Sequence, residues 1–231
     1  MAVIVGTTGS DVRNGTSGND AIFGWSPSGN ANTPSGNDTL NGGGGNDQLE
    51  GGTGLDSLLG GAGIDTLFGH SGSDTLRGGD GNDSLFGQQD SDSLFGDAGN
   101  DSLVGEAGND TLNGGLGRDT LLGGIGNDIL IGGDGNDRLV GSAGDDRLTG
   151  NAGADTFVFS SLSEGIDTIT DFFFGQGDKI EASASGFGIA VGDTSRFTFD
   201  SSNRILFFDT TALAILQPSS SFVPSLDINV V

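Results

Sequence analysis

One apolar position returns every nine residues along most of this chain. It is filled by Leu40, Leu49, Leu58, Leu67, Leu76, Leu85, Leu94, Leu103, Leu112, Leu121, Leu130, Leu139 and Leu148, with Ile22 and Phe157 in phase near the ends. Around it the unit reads G-G-x-G-x-D-x-U-x, as in Gly51-Gly-Thr-Gly-Leu-Asp56-Ser-Leu58-Leu. The phase holds from Gly6 to Val158, which is 153 residues or seventeen units, and sixteen of these carry Asp at position six. Positions seven to nine are expected to form a very short strand, in which alternation turns position eight to one face and its neighbours to the other. Gly at positions one, two and four is expected to supply positive φ and turns too tight for a Cβ. Turn, strand, turn, strand makes a coil of two units with the leucines meeting inside. The expected fold is all-β, a parallel β-roll (a β-solenoid) over residues 1–158.

Composition alone would suggest disorder. Gly is 46 of 231 residues, hydrophobic residues are 33% and the formal net charge is -24, a combination that ordinarily cannot offset chain entropy. The unbroken phase argues against that reading. One Lys and seven Arg are too few for nucleic acid, whose phosphates require cations, and anionic membrane surfaces are disfavoured likewise. No run approaches the ~20 apolar residues of a membrane helix, so no membrane insertion is expected. There is no Cys. The start, Met1-Ala-Val-Ile-Val-Gly, lacks the basic region and apolar length of a cleavable signal peptide, so any export is expected to use another route.

The aspartates call for a cation. In a two-unit coil, position six recurs on one edge every eighteen residues. One column is expected to hold Asp20, Asp38, Asp56, Asp74, Asp92, Asp110, Asp128 and Asp146. The other is expected to hold Asp11, a vacancy at Gly29, then Asp47, Asp65, Asp83, Asp101, Asp119, Asp137 and Asp155. Carboxylates at the strand spacing of about 4.8 Å repel by roughly 1 kcal/mol in water and by more at lower dielectric. A dication between successive loops reverses that sign. Ca²⁺ suits carboxylates plus turn carbonyls, whereas transition metals favour His or Cys. One ion between neighbours gives seven sites on the first edge and six on the second, thirteen in all, with +26 to set against the chain's -24. The candidate ligands are the position-six aspartates from Asp20 to Asp155. Three departures stand out: Gly29 lacks the carboxylate, Asp90 replaces Gly at position four, and Arg13 replaces Leu in a first unit expected to fray.

So many in-phase copies resemble the RTX (repeats-in-toxin) proteins over Gly6–Val158. The resemblance implies a parallel β-roll with position-six Asp and turn carbonyls as calcium ligands. It also implies bacterial secretion to the extracellular space and folding on Ca²⁺ after export.

After Val158 the period stops. Eleven of the fifteen Phe lie between Phe157 and Phe222, and Asp167–Phe172, Arg196–Phe199, Ile205–Phe208 and Ile228–Val231 alternate like strands. A small β domain, 159–231, is expected to cap the roll, since solenoid ends must be covered. Asp167–Ile180 resembles the segment that follows the repeats in serralysin-type and other type I-secreted RTX exoproteins. Leu226-Asp-Ile-Asn-Val-Val231 reads either as the ending of such an export signal or as a plain terminal strand. For Asp167, Asp171 and Asp178, a further ion, a salt bridge to Lys179 and strand capping are all open.

Nothing in the sequence supports catalysis, and the chain is expected not to be an enzyme. A zinc H-E-x-x-H helix needs two His and only His70 is present; it stands at position two of a turn, where a solvated loop residue is expected. Glu50 and Glu106 are expected to be solvated too. The function expected is that of an extracellular calcium-binding structural or adhesive protein; a carbohydrate-binding module and an ice-binding solenoid are the alternatives. Position nine of one sheet reads Phe68, Phe86, Val104, Leu122, Val140, Val158. That row is open to two readings, a surface for self-association or a cell-surface or glycan partner, and packing within the molecule.

Overall fold

The computed structural model describes residues 2–7, 9–24, 35–188, 190, 192, 194–195, 197–200, 204–216 and 228–231. Two sheets, of eleven and twelve strands among the described residues, face each other across the leucines, and successive strands of the roll alternate between them. Within the regular repeats every pairing is parallel at a step of eighteen residues, as in Leu94↔Leu112 and Leu103↔Leu121. All thirteen leucines of the ladder are at most 1% exposed. This is the β-roll that the ninefold period predicts.

The strands are longer than the expected three residues. Each regular one has six, from position seven to position three of the next unit, as in Thr66–Ser71 and Ser102–Ala107. Because every coil repeats the same path, corner donors and acceptors meet those of the neighbouring coil, and the backbone is satisfied around the bend as well as along the strand. Gly99 N–H donates to the Leu116 carbonyl at 2.8 Å in this way. Position two is left-handed, with Gly115 at φ +107°, yet His70, Gln88, Asp97, Glu106, Ser142 and Asn151 hold the same place with φ between 68° and 81°. Position one is not left-handed in these coils, contrary to the expectation from Gly, and its requirement has another cause, described below.

The register near the amino terminus corrects the expected columns. Val12 pairs with Thr39 and Ala21 with Gln48, steps of twenty-seven residues. One whole unit is therefore skipped in the stack. Residues 25–34, with Trp25, Pro27 and Gly29, lie outside the described residues. Asp11 stacks under Asp38 and Asp20 under Asp47, so the two leading aspartates exchange columns and no vacancy separates Asp11 from the next carboxylate. The first unit takes its place in the stack despite Arg13. Val12–Asn14 is a strand, Arg13 lies opposite Leu40, and its Nη2 is 2.8 Å from Asp11 Oδ1.

The carboxyl-terminal segment covers the end of the roll by adding strands to both of its sheets. Lys179–Ala182 pairs in parallel with Thr156–Phe159, and Ile228–Val230 pairs with Lys179–Ala182 in turn. On the other sheet Asp167–Ile169 follows Arg147–Ala152, then come Thr211–Leu216, Ile205–Phe208 and Phe197–Asp200, the last two pairings antiparallel. A one-turn helix, Ala184–Phe187, brings Phe187 against Phe197 and Phe208, with ring centroids 5.0–5.6 Å apart. Leu226 and Asp227 lie outside the described residues. No helix among the described residues is long and apolar enough to cross a membrane.

The position-nine row is half-buried from Phe68 to Val140 and buried at Val158. The Phe68 and Phe86 rings stack 5.0 Å apart. His70 is no free loop residue: its ring lies 6.0 Å from Phe68, and Nε2 is 3.4 Å from Glu50 Oε2. Glu50, correspondingly, is half-buried and accepts from Gln48 Nε2 at 2.6 Å.

Candidate metal centre

Position six lies at the corner where each coil turns into its strand, and stacking converts the repeat into two columns of carboxylates. The N–H of each Asp donates to Oδ1 of the Asp in the next coil. Asp38 gives to Asp56 at 2.7 Å, Asp83 to Asp101 at 2.8 Å and Asp137 to Asp155 at 2.9 Å. These bonds hold the carboxylates in one orientation, each at most 3% exposed from Asp20 to Asp155.

The second oxygen is left over. Oδ2 of Asp38, Asp47, Asp56, Asp65, Asp74, Asp83, Asp92, Asp101, Asp110, Asp119, Asp128, Asp137, Asp146 and Asp155 is buried without a hydrogen-bond partner. Position-one Gly explains where it points. A Cβ on Gly60 would fall onto Asp65 Oδ2 and within 2.7 Å of the Gly78 carbonyl oxygen in the next coil. The same convergence recurs at Gly78, with the Gly96 carbonyl 2.9 Å away, and at Gly105, with the Gly123 carbonyl 2.6 Å away. Position one is Gly because a carboxylate oxygen and a carbonyl oxygen already occupy the space beside it.

A buried anionic acceptor facing a carbonyl acceptor, with no donor between, is unfavourable unless a cation or a proton sits there. Burial pushes the carboxyl of Asp74 up to about 8 and those of Asp38, Asp92, Asp101, Asp128 and Asp155 to about 7. The N–H bond to Oδ1 pulls the other way, and aspartates above and below in the column raise the values further. Among the described residues no three Asp, Glu, His or Cys side chains form a ready-made ligand set. A metal held between coils would draw on one or two carboxylates and need backbone carbonyls to complete its shell. That donor set fits Ca²⁺, which accepts irregular cages of six to eight oxygens, better than Mg²⁺.

Asp20 stands apart from the other candidates. Its Oδ1 accepts from Ala2 N–H at 2.6 Å, and its Oδ2 from the Thr16 N–H and hydroxyl at 2.7 and 2.8 Å. Those bonds hold its carboxyl below the usual range. Thr at position two thus supplies inside the chain the donors that the later aspartates lack. Thr7 does the same for Asp11. Asp90, at position four, takes φ +74° and accepts from Gly72 N–H at 3.0 Å, so the turn survives the exchange of Gly for Asp.

Two features escape the ninefold reading. Position-five Asn forms a second ladder on the turn tips: Asn100 N–H donates to Asn82 Oδ1 and Arg118 N–H to Asn100 Oδ1, both at 2.8 Å. The recurrence of Asn before Asp was the available signal. Asp167 and Asp178 extend the carboxylate columns beyond the last repeat, as Asp146 N–H donates to Asp167 Oδ1 at 3.1 Å and Asp155 N–H to Asp178 Oδ1 at 3.0 Å. Their steps of 21 and 23 residues hide them from a search at period nine. Asp171 instead accepts from the N–H groups of Gly150 and Asn151 at 3.0 and 2.7 Å.

Comparison with known proteins agrees with this geometry. The family model described as RTX calcium-binding nonapeptide repeat (4 copies) matches residues 3–26, a series of overlapping windows from 35 to 130, and 131–159. No curated protein matches the chain. Among solved structures, the extracellular lipase LipA from Serratia marcescens aligns with 99% of this chain and 40% of its own, at 17% identity and a TM-score of 0.25. The chain thus spans well under half of that protein, and a likeness this distant carries no argument. The family match covers more than half of the 231 residues, and the chain belongs to the RTX calcium-binding nonapeptide-repeat family.

Proposed function

We propose that this chain is an extracellular structural or adhesive rod that folds when it meets Ca²⁺ after export. The run of partnerless Asp Oδ2 atoms from Asp38 to Asp155 carries the reading. Without metal, folding would bury a column of anions on each edge; with it, each carboxylate gains a ligand bond and the ion's binding energy becomes folding energy. Asp38 to Asp155 would hold the ions together with position-one carbonyls. Low calcium would leave the chain unfolded, the state a type I exporter passes. The carboxyl-terminal strand Ile228–Val230 belongs to the segment proposed as the export signal. A catalytic role is not part of this reading, since His70, the one imidazole, is engaged by Phe68 and Glu50. The half-buried row around Phe68 and Phe86 is the proposed contact face for a partner or a second copy.

Far-UV circular dichroism during Ca²⁺ titration of chelator-stripped protein tests the reading. A cooperative passage from coil to β, with a midpoint in the ~0.1–1 mM range of extracellular modules, is expected. A β spectrum indifferent to chelator would remove both the metal and the export logic.

A second reading, carbohydrate binding, is favoured by one cleft of about 380 Å³ where Arg118, Arg138 and Lys179 stand with Thr120, Asn136 and Thr156 beside the column carboxylates Asp119 and Asp137. It gathers three of the eight basic residues of a chain with net charge -24, and one of them, Arg138, is paired with Glu181. With Asp119 and Asp137 neutralised by Ca²⁺ as proposed above, an acidic oligosaccharide is the ligand such a cleft would take. Calorimetric titration of the calcium-loaded chain with oligogalacturonate should then show binding that R118A/K179A abolishes; no heat from the parent chain would end this reading.

A further inference from the structure

We propose that the metal columns run one step past the repeats on both edges, where Asp167 with Asp146, and Asp178 with Asp155, hold two further cations. The inference rests on the calcium reading above and extends it into a segment without the nonapeptide pattern.

The local structure at both places is that of a repeat. Glu164-Gly165-Ile166-Asp167-Thr168-Ile169 fills positions three to eight. Gly165 has φ +113°, as position four requires. Gly144 N–H donates to the Glu164 carbonyl at 2.6 Å, matching Gly126 N–H to the Ala143 carbonyl at 2.8 Å one coil pair earlier. Ile166 N–H donates to Asp145 Oδ1 at 2.9 Å, the position-five bond. Thr168 N–H reaches the Asp146 carbonyl at 2.7 Å, and Ile169 joins the core fully buried. On the other edge Asp178-Lys179-Ile180 fills positions six to eight. Lys179 N–H donates to the Asp155 carbonyl at 2.9 Å, and Ile180 is fully buried.

On the lower side of each of these two steps the charge is left as it is in the repeats. Asp146 and Asp155 are 2% and 0% exposed, and Oδ2 of each is buried without a partner. The coil above each is no longer a repeat, but it supplies another carboxylate in register, Asp167 at 1% and Asp178 at 3% exposure. No ion pair among the described residues neutralises either one. The second column closes there, because Asp178 Oδ2 accepts from Phe173 N–H at 2.7 Å, much as Thr16 closes its lower end at Asp20. The cap is thus joined to the roll by the chemistry that joins one coil to the next, and it orders only on a loaded roll.

The test counts Ca²⁺ bound to the full chain by equilibrium dialysis at saturation. In Asp167→Asn the amide keeps Oδ1 as acceptor for the N–H below and removes the charge; Asp178→Asn does the same but also gives up the acceptor for Phe173 N–H. Each variant is expected to bind one ion fewer than the parent and the double variant two fewer, with the calcium-induced β signal retained. A double variant that binds the parent's number overturns the proposal, whereas a parent that binds no Ca²⁺ overturns the reading beneath it. Should the double variant not fold, hydrogen exchange of the parent across 164–182 decides. Protection gained in step with the repeats supports the extra sites. Protection complete in chelator, or missing at saturation, overturns them.

Discussion

Leu103→Ala is expected to lower the stability of the calcium-loaded chain by roughly 2–5 kcal/mol, the range for emptying a buried leucine site. Leu103 is fully buried, stacked between Leu85 and Leu121 in its own sheet and facing the leucines of the other. The coil contributes one such side chain per unit, and the strands on either side are tied by hydrogen bonds along their length. Neighbours therefore cannot collapse into the cavity without breaking the register of both adjacent coils. Guanidinium unfolding at saturating Ca²⁺ measures the effect through the shift in midpoint at constant slope. A change under about 0.5 kcal/mol, the size of an ordinary surface substitution, would mean that the ladder is not the core of the roll.

Gly105→Ala should rival it, for a different reason. The new methyl would land on Asp110 Oδ2 and lie 2.6 Å from the Gly123 carbonyl oxygen, two of the atoms assigned to the metal. Overpacking of this kind costs about 1–3 kcal/mol, and the displaced carboxylate should also forfeit an ion. Calcium counting together with denaturant unfolding separates the two losses. Gly124→Asn is the informative contrast. Gly124 is a position-two residue at φ +117°, where a Cβ would lie 2.1 Å from the Glu106 carbonyl oxygen, but six units hold a non-glycine residue at that place with φ between 68° and 81°, an angle the backbone can turn to. A cost of about 1–2 kcal/mol, that of a left-handed L-residue, together with the turn away from that carbonyl, is expected there with the ion count unchanged. An unchanged ion count in Gly105→Ala would show that position one is Gly for some reason other than the oxygens assigned to the metal.

The difference between those two glycines marks where the sequence stops being readable. Both positions carry Gly, and Gly signals only that a Cβ is unwelcome, not whether conformation or crowding excludes it. Position two tolerates His70 and Asn151 because its backbone turns to φ +79° and +68° there, away from the carbonyl that a Cβ would meet at the φ of +117° held by Gly124. Position one faces oxygens brought in by a residue five positions later and by the next coil, eighteen positions on. Likewise Arg13 pointed to fraying of the first unit by pattern alone, but Asp11 lies within reach of its guanidinium.

The sequence by itself determined what depends on local periodicity: an all-β roll, the identity of every ladder leucine, and a carboxylate at each corner of its regular units. A side chain's face follows from its place in a nine-residue unit, and the unit repeats too often to lose phase. Tertiary structure alone decided which coil lies on which. Across the interruption the step is 27 residues, and past the repeats it is 21 and 23. Parallel strands pair through backbone groups that are indifferent to the length of chain joining them, so a coil can skip or lengthen a loop and still stack. That indifference puts Asp11 under Asp38 instead of Gly29, and it brings Asp167 and Asp178 into columns that no count along the chain would assign them.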